Sequence, residues 1–154
     1  MRITLICVGR LKERFWREAA EEYLKRLRPY ADVRVVEVAD RDLTHDETRA
    51  LAEEGADVLK AVPSGAHVVV LAIGGTSLSS ERFADRLGSL ALDGRSSVAF
   101  IIGGAAGLAP AVVARADESL SLSAMTLPHN LARVVLLEQL YRAFRIQRNE
   151  PYHR

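Results

Sequence analysis

The chain has 154 residues, of which 49% are hydrophobic and 27% charged, and its formal net charge is +1. That composition excludes a disordered polymer and supplies enough apolar material for an unaided core, with the length predicting one domain over residues 1–154. A lone cysteine, Cys7, excludes an intrachain disulfide framework and predicts a reducing, cytoplasmic setting, and no apolar run approaches the ~18 residues of a membrane span.

Arg2–Val8 is a short apolar run that predicts a strand, broken at Gly9. Phe15, Trp16, Ala19, Ala20, Tyr23, Leu24 and Leu27 then recur at helical spacing, and Pro29 stops that helix. Val33–Val38 predicts a second strand, residues 45–60 a helix, and Val68–Ile73 a third strand whose near-continuous apolar character suits a parallel sheet covered on both faces. Ser79 or Ser80 can cap the next helix, with the stripe Phe83, Leu87 and Leu90, and Gly94 ends it. Val98–Ile102 is a fourth strand running into Gly103-Gly104-Ala105-Ala106-Gly107, Pro110 suits the first turn of a short helix, and Ser119–Ser123 is a fifth strand. Leu131–Gln147 is the last helix. Repeated strand–helix units predict an α/β fold with a mostly parallel sheet flanked by helices.

In such sheets ligands bind beyond the carboxyl ends of the strands. Three segments qualify by composition: Ile73-Gly74-Gly75, Gly103–Gly107, and Leu122 through His129. The glycine pattern does not match a dinucleotide fingerprint, a P-loop or a nucleophile elbow, and the four histidines, His45, His67, His129 and His153, include no close pair for a metal. What remains is a pocket of main chain and small or apolar side chains, near Leu71, Gly103 and Leu122–Leu127, able to hold a purine. His129 and Arg133 lie close to it in sequence, and the chain closes on Tyr152-His153-Arg154. Charge is segregated: residues 1–30 carry eight Lys/Arg against four acids, residues 31–130 eight against fourteen, and residues 131–154 five Arg against two Glu. Basic ends of this kind suit a polyanion, so the combination fits a transferase with a nucleotide-like cofactor and a polyanionic substrate.

These segments carry a resemblance. Gly103-Gly104-x-x-Gly107-Leu108, Leu120-Ser121-Leu122-Ser123-x-Met125-Thr126-Leu127-Pro128-His129, Arg133-Val134-x-x-x-Glu138-Gln139-x-Tyr141-Arg142-Ala143-Phe144 and Tyr152-His153-Arg154 resemble the RlmH, or YbeA-like, family of SPOUT methyltransferases over the full length. The resemblance implies an α/β sheet whose C-terminal part threads a deep trefoil knot, S-adenosylmethionine as cofactor, and a homodimer. It also implies methylation of N3 of a pseudouridine in 23S rRNA of the assembled ribosome; the histidine spacing and the lack of a long apolar run add the expectation of no metal and no membrane association. By position it assigns the cofactor to Leu71, Gly103, Gly104, Leu122, Ser123, Ala124, Met125, Thr126 and Leu127, and substrate or catalytic roles to His129, Tyr152, His153 and Arg154.

An imide nitrogen must lose its proton to be methylated, and a neutral histidine is a suitable base near pH 7. His153 is the first candidate and His129 the second, with Arg154 favouring the deprotonated base or holding a phosphate and Tyr152 stacking on a nucleobase. Two other classes use some of the same features: a non-catalytic ribosome-binding or assembly factor, which has no need of the glycine-rich strand-end segments, and an enzyme for a free nucleotide, which has no need of basic ends.

Overall fold

The structure is a computed structural model and describes residues 1–152. The chain alternates strand and helix throughout: β1 (Arg2–Val8), α1 (Arg14–Leu27), β2 (Asp32–Val38), α2 (Glu47–Ala61), β3 (His67–Ser77), α3 (Ser80–Leu92), β4 (Ser97–Ile102), α4 (Pro110–Arg115), β5 (Glu118–Ser121) and α5 (His129–Gln147). The five strands form one sheet in the order β2-β1-β4-β3-β5. Every neighbouring pair is parallel. The expected α/β architecture is therefore present, with a wholly parallel sheet.

Strand side chains alternate between two cores, as a sheet covered on both faces requires. Ile3, Leu5, Cys7, Val98, Phe100 and Ile102 point into the layer formed with α1, α3 and α5. Ile6, Val8, Val68, Val70, Ala99 and Ile101 point to the opposite layer, under α2 and α4. Helix starts follow local chemistry: the Asp46 and Ser79 side chains accept from the N–H groups of Arg49 and Arg82, and Pro110 opens α4.

Four details differ from the sequence expectation. Phe15 belongs to no buried stripe; it is 62% exposed, because the covered line of α1 runs through Trp16, Ala20, Tyr23, Leu24 and Leu27, about 100° round the helix from it. Ile73-Gly74-Gly75 is not a strand-to-helix loop: β3 bulges after Leu71 and rejoins β5, with both Leu71 and Thr76 opposite Leu120. β5 ends at Ser121, two residues before the expected boundary, and α5 begins at His129, two residues earlier than expected.

Candidate active site at the carboxyl edge of the sheet

Because all strands are parallel, their carboxyl ends share one edge. Along the run β1-β4-β3-β5 that edge presents Val8-Gly9, then Ile102-Gly103, then Leu71, then Ser121-Leu122. The proposed cofactor segments, far apart in sequence, are thus brought to adjacent strand ends.

Gly103–Gly107 is a turn folded tightly on itself. Gly107 N–H donates to the Gly104 carbonyl at 3.1 Å, and the two residues form an isolated antiparallel bridge. A Cβ on Gly103 would lie 2.7 Å from the Gly107 carbonyl oxygen, so only glycine fits there. The next segment, Leu122–Pro128, is shaped by hydroxyls: Ser121 Oγ donates to the Ser123 carbonyl at 3.0 Å, and Ser123 Oγ accepts from Met125 N–H at 2.9 Å. Ala124, Met125 and Thr126 are exposed, Met125 at 78%. Among the described residues, the main-chain N–H groups of Ala124, Thr126 and Leu127 have no protein partner. Together with half-buried Leu71, Leu122 and Leu127, this gives an apolar ledge with free main-chain donors. Such a ledge fits an adenosyl group held by main-chain hydrogen bonds and van der Waals contact.

His129 opens α5, directly after Pro128. Its Cε1 lies 3.8 Å from where a Gly9 Cβ would stand, and Gly9 has φ +92°, a conformation that favours glycine. The imidazole therefore sits over the end of β1, beside the Gly103–Gly104 turn, where a Gly104 Cβ would stand 3.2 Å from Val8 Cγ1.

One turn further along, Arg133 is 3% exposed. Its Nη1 donates to Glu37 Oε2 at 2.7 Å and its Nη2 to the Gly9 carbonyl at 3.1 Å. Arg133 thus clamps the start of α5 to the ends of β1 and β2, and fixes His129 indirectly. Nearby Cys7 is buried; burial pushes its thiol up to about 11, with Arg133 partly opposing the shift. A protonated, enclosed thiol of this kind is inert.

The chain end is anchored elsewhere. Tyr152 Oη donates to Glu138 Oε1 at 3.1 Å, its ring meets Tyr141 edge-on at 4.9 Å, and the Arg142 guanidinium lies 4.7 Å from the ring centre. Burial, then the hydrogen bond to Glu138, raises the phenol to about 12, so it stays protonated at neutral pH. Arg145 reaches Glu150 at 2.6 Å, the Tyr30 hydroxyl at 3.0 Å and the Pro151 carbonyl at 3.1 Å. Glu138 lies nine residues along α5 from His129, roughly 13 Å along the axis at 1.5 Å per residue. A single chain therefore joins His129 to the strand-end segments but holds Tyr152 on a different stretch of α5. His153 and Arg154, the first proposed base and its cationic neighbour, lie outside the described residues.

Sequence reasoning missed Glu37 and Glu138 as site-shaping residues. Glu138 carried a usable signal, the i, i+4 spacing to Arg142; Glu37, 96 residues from Arg133, is one of three charged residues in its strand, with Asp32 and Arg34, and nothing local set it apart. No group of three or more metal-ligating side chains exists among the described residues. No helix among them is long and apolar enough to cross a membrane.

With the geometry in place, the chain can be set beside known proteins. Residues 1–153 match the family model described as "Predicted SPOUT methyltransferase". Ribosomal RNA large subunit methyltransferase H of Bacillus cytotoxicus is 49% identical over 159 residues, covering 100% of both chains. The protein of the same name from Bacillus cereus ATCC 10987 is 50% identical with the same coverage. Among solved structures, a probable methylase family protein from Haemophilus influenzae Rd KW20 superposes with a TM-score of 0.55 at 15% identity, over 99% of this chain and 70% of that one. A probable methyltransferase from Bordetella pertussis Tohama I gives 0.55 at 16% identity, over 93% and 96%. The two structures speak to the fold alone.

Proposed function

This chain belongs to the SPOUT methyltransferase family, and from that premise we propose that it methylates N3 of a pseudouridine in 23S rRNA of the assembled ribosome. The observation that carries the reading is the convergence at one sheet edge of Leu71, the Gly103–Gly104 turn and the Leu122–Leu127 ledge, with His129 beside them. The roughly 50% identity, over the full length, to proteins named as large-subunit rRNA methyltransferases supports the substrate class.

S-adenosylmethionine, bound there, would supply a methyl group already activated on a sulfonium. The tight Gly103 turn admits close approach, and the free N–H groups of Ala124, Thr126 and Leu127 suit the acceptors of an adenine. The protein then has to orient the acceptor nitrogen and take its proton. His153 is the first candidate for that proton and His129 the second; Arg154 favours the deprotonated base or holds a phosphate. Tyr152, kept as a neutral phenol, offers its ring to a nucleobase. Much of the acceleration comes from positioning.

The reading includes one domain, a C-terminal trefoil knot built around the segment that carries Leu122–Leu127, and a homodimer in the cytoplasm. Two features favour the dimer. Leu131, Val134 and Val135 leave a half-buried apolar face on α5, and the tail is rooted at Glu138, away from its own His129. A partner's ledge set against that root would complete the site.

The test is to supply labelled S-adenosylmethionine to ribosomes lacking the modification and to map the labelled nucleotide. Label at N3 of one pseudouridine of 23S rRNA is the expected result. Absence of both label and calorimetric cofactor binding would overturn the reading.

A further inference from the structure

A cavity of about 730 Å³, separate from the strand-end ledge, opens between the start of α1, β2 and α5. Ala20, Leu24, Val35 and Leu137 form its apolar wall. Arg10, Lys12 and Arg17 stand on its rim. The Arg17 guanidinium donates to the Leu11 and Lys12 carbonyl oxygens, so its charge is not cancelled by an acid. Arg10 and Lys12 have no ion-pair partner among the described residues. Two acids also border the cavity, Glu21 and Glu37, and Glu37 is already engaged by Arg133, which leaves the rim net positive.

The surroundings of the cavity add to this picture. Arg133, 3% exposed, contributes to the wall, and its Nε has no acceptor among the described residues. The N-cap residue of α1, Glu13, makes no side-chain capping hydrogen bond, and the first turn holds Arg14 and Arg17 with no acid. Beside it, Phe15 is 62% exposed, with its ring 5.1 Å from that of Trp16. An apolar wall under a cationic rim, with an exposed aromatic ring on the neighbouring helix turn, combines the means by which proteins hold unpaired nucleotides. The volume lies within the ~300–1,000 Å³ range of small-ligand pockets.

We propose that this cavity receives one unpaired nucleotide of the RNA strand that the enzyme modifies, its base against Leu24 and Val35 and its phosphate at Arg10, Lys12 and Arg17. The inference rests on the ribosomal RNA reading above and adds a second point of attachment to it. Arg133 lies one helical turn, roughly 5 Å, beyond His129 and bonds the Gly9 carbonyl beneath it. A nucleotide gripped there would set the position of its neighbours along the same sheet edge.

The experiment uses the full-length protein, the double variant Lys12→Glu/Arg17→Glu, which reverses the rim, and Leu24→Trp, which fills the cavity. Labelled oligouridylate and adenosine monophosphate are titrated against each, and KM and kcat are measured on large ribosomal subunits lacking the methyl group. Cofactor affinity by calorimetry reports that each variant is folded. The expected result is about tenfold weaker oligouridylate binding and higher KM in both variants, with kcat and cofactor affinity near those of the parent and a shallower salt dependence for the rim variant. Parent-like binding and KM in both variants would overturn the proposal. So would a defect confined to the rim variant, which would mark a surface patch with an idle cavity. Adenosine monophosphate binding as tightly as oligouridylate would instead assign the cavity to a free nucleotide and overturn the strand. If the parent methylates no ribosomal substrate, the rRNA reading fails by itself, and the oligonucleotide titrations still decide whether the cavity binds RNA.

Discussion

The two ends of α5 are held in opposite ways. At its start, Arg133 is buried and bridges two strands, Glu37 on β2 and the Gly9 carbonyl on β1. Near its finish, the tail is held by partly exposed contacts to the helix itself and to Tyr30: Tyr152 on Glu138, Tyr141 and Arg142, and Arg145 on Glu150. Burial makes the first attachment part of the core. The second is a set of local contacts of modest individual strength.

That contrast predicts a separation of effects. Deleting Tyr152–Arg154 should lower the single-turnover methylation rate by about a hundredfold or more, because it removes the proposed base, while costing only about 1–2 kcal/mol of stability through the lost hydrogen bond and ring contacts of Tyr152. A large stability loss would break the comparison, and an unchanged rate would remove the tail from the chemistry. Arg133→Leu should do the reverse in its primary effect. It should cost roughly 3 kcal/mol of stability, the low end for a buried pair because Glu37 keeps 40% of its side-chain exposure. Chemical denaturation would show it as a lower midpoint at constant slope.

Cys7 sharpens the same contrast through pH. Its folded thiol holds its proton to about 11 against the usual 9.0, so this contribution to stability is complete below the unfolded value and is lost as pH rises through that window. The two-unit shift amounts to about 3 kcal/mol at 1.36 kcal/mol per unit. Cys7→Ala should flatten this part of the stability profile, visible as the difference between parent and variant urea midpoints on either side of the window. A difference that does not vary with pH would show the thiol titrating normally. Tyr152→Phe should have the smallest effect, about 1 kcal/mol or less in stability, since Glu138 keeps Arg142 at 2.9 Å. A rate loss as large as that of the deletion would make the hydroxyl, rather than the residues beyond it, the essential group.

Much of the fold was legible because periodicity is a local property. The apolar runs at Arg2–Val8 and Val98–Ile102 became strands, and the stripe of Phe83, Leu87 and Leu90 became the buried face of α3. Strand order was not legible, since nothing in Val33–Val38 or Val68–Ile73 says which strand lies beside which. The bulge in β3 was hidden for the opposite reason: Gly74-Gly75 punctuates a strand as readily as it ends one, and only the pairing of Thr76 and Ser77 with β5 decides. At the site, glycine placement and the Thr126-Leu127-Pro128-His129 block marked the ledge. The clamp through Glu37 depends on two residues meeting across 96 positions, which no local pattern encodes.

The Gly103–Gly107 turn carries a consequence for chemical intervention. Its outline is set by peptide groups, and even one added methyl at Gly103 would strike the Gly107 carbonyl at 2.7 Å. An inhibitor designed to copy a ligand's contacts with those peptides would face few routes to resistance. Swapping a side chain leaves the peptide groups in place, and swapping the glycine collapses the turn on which the proposed cofactor site rests.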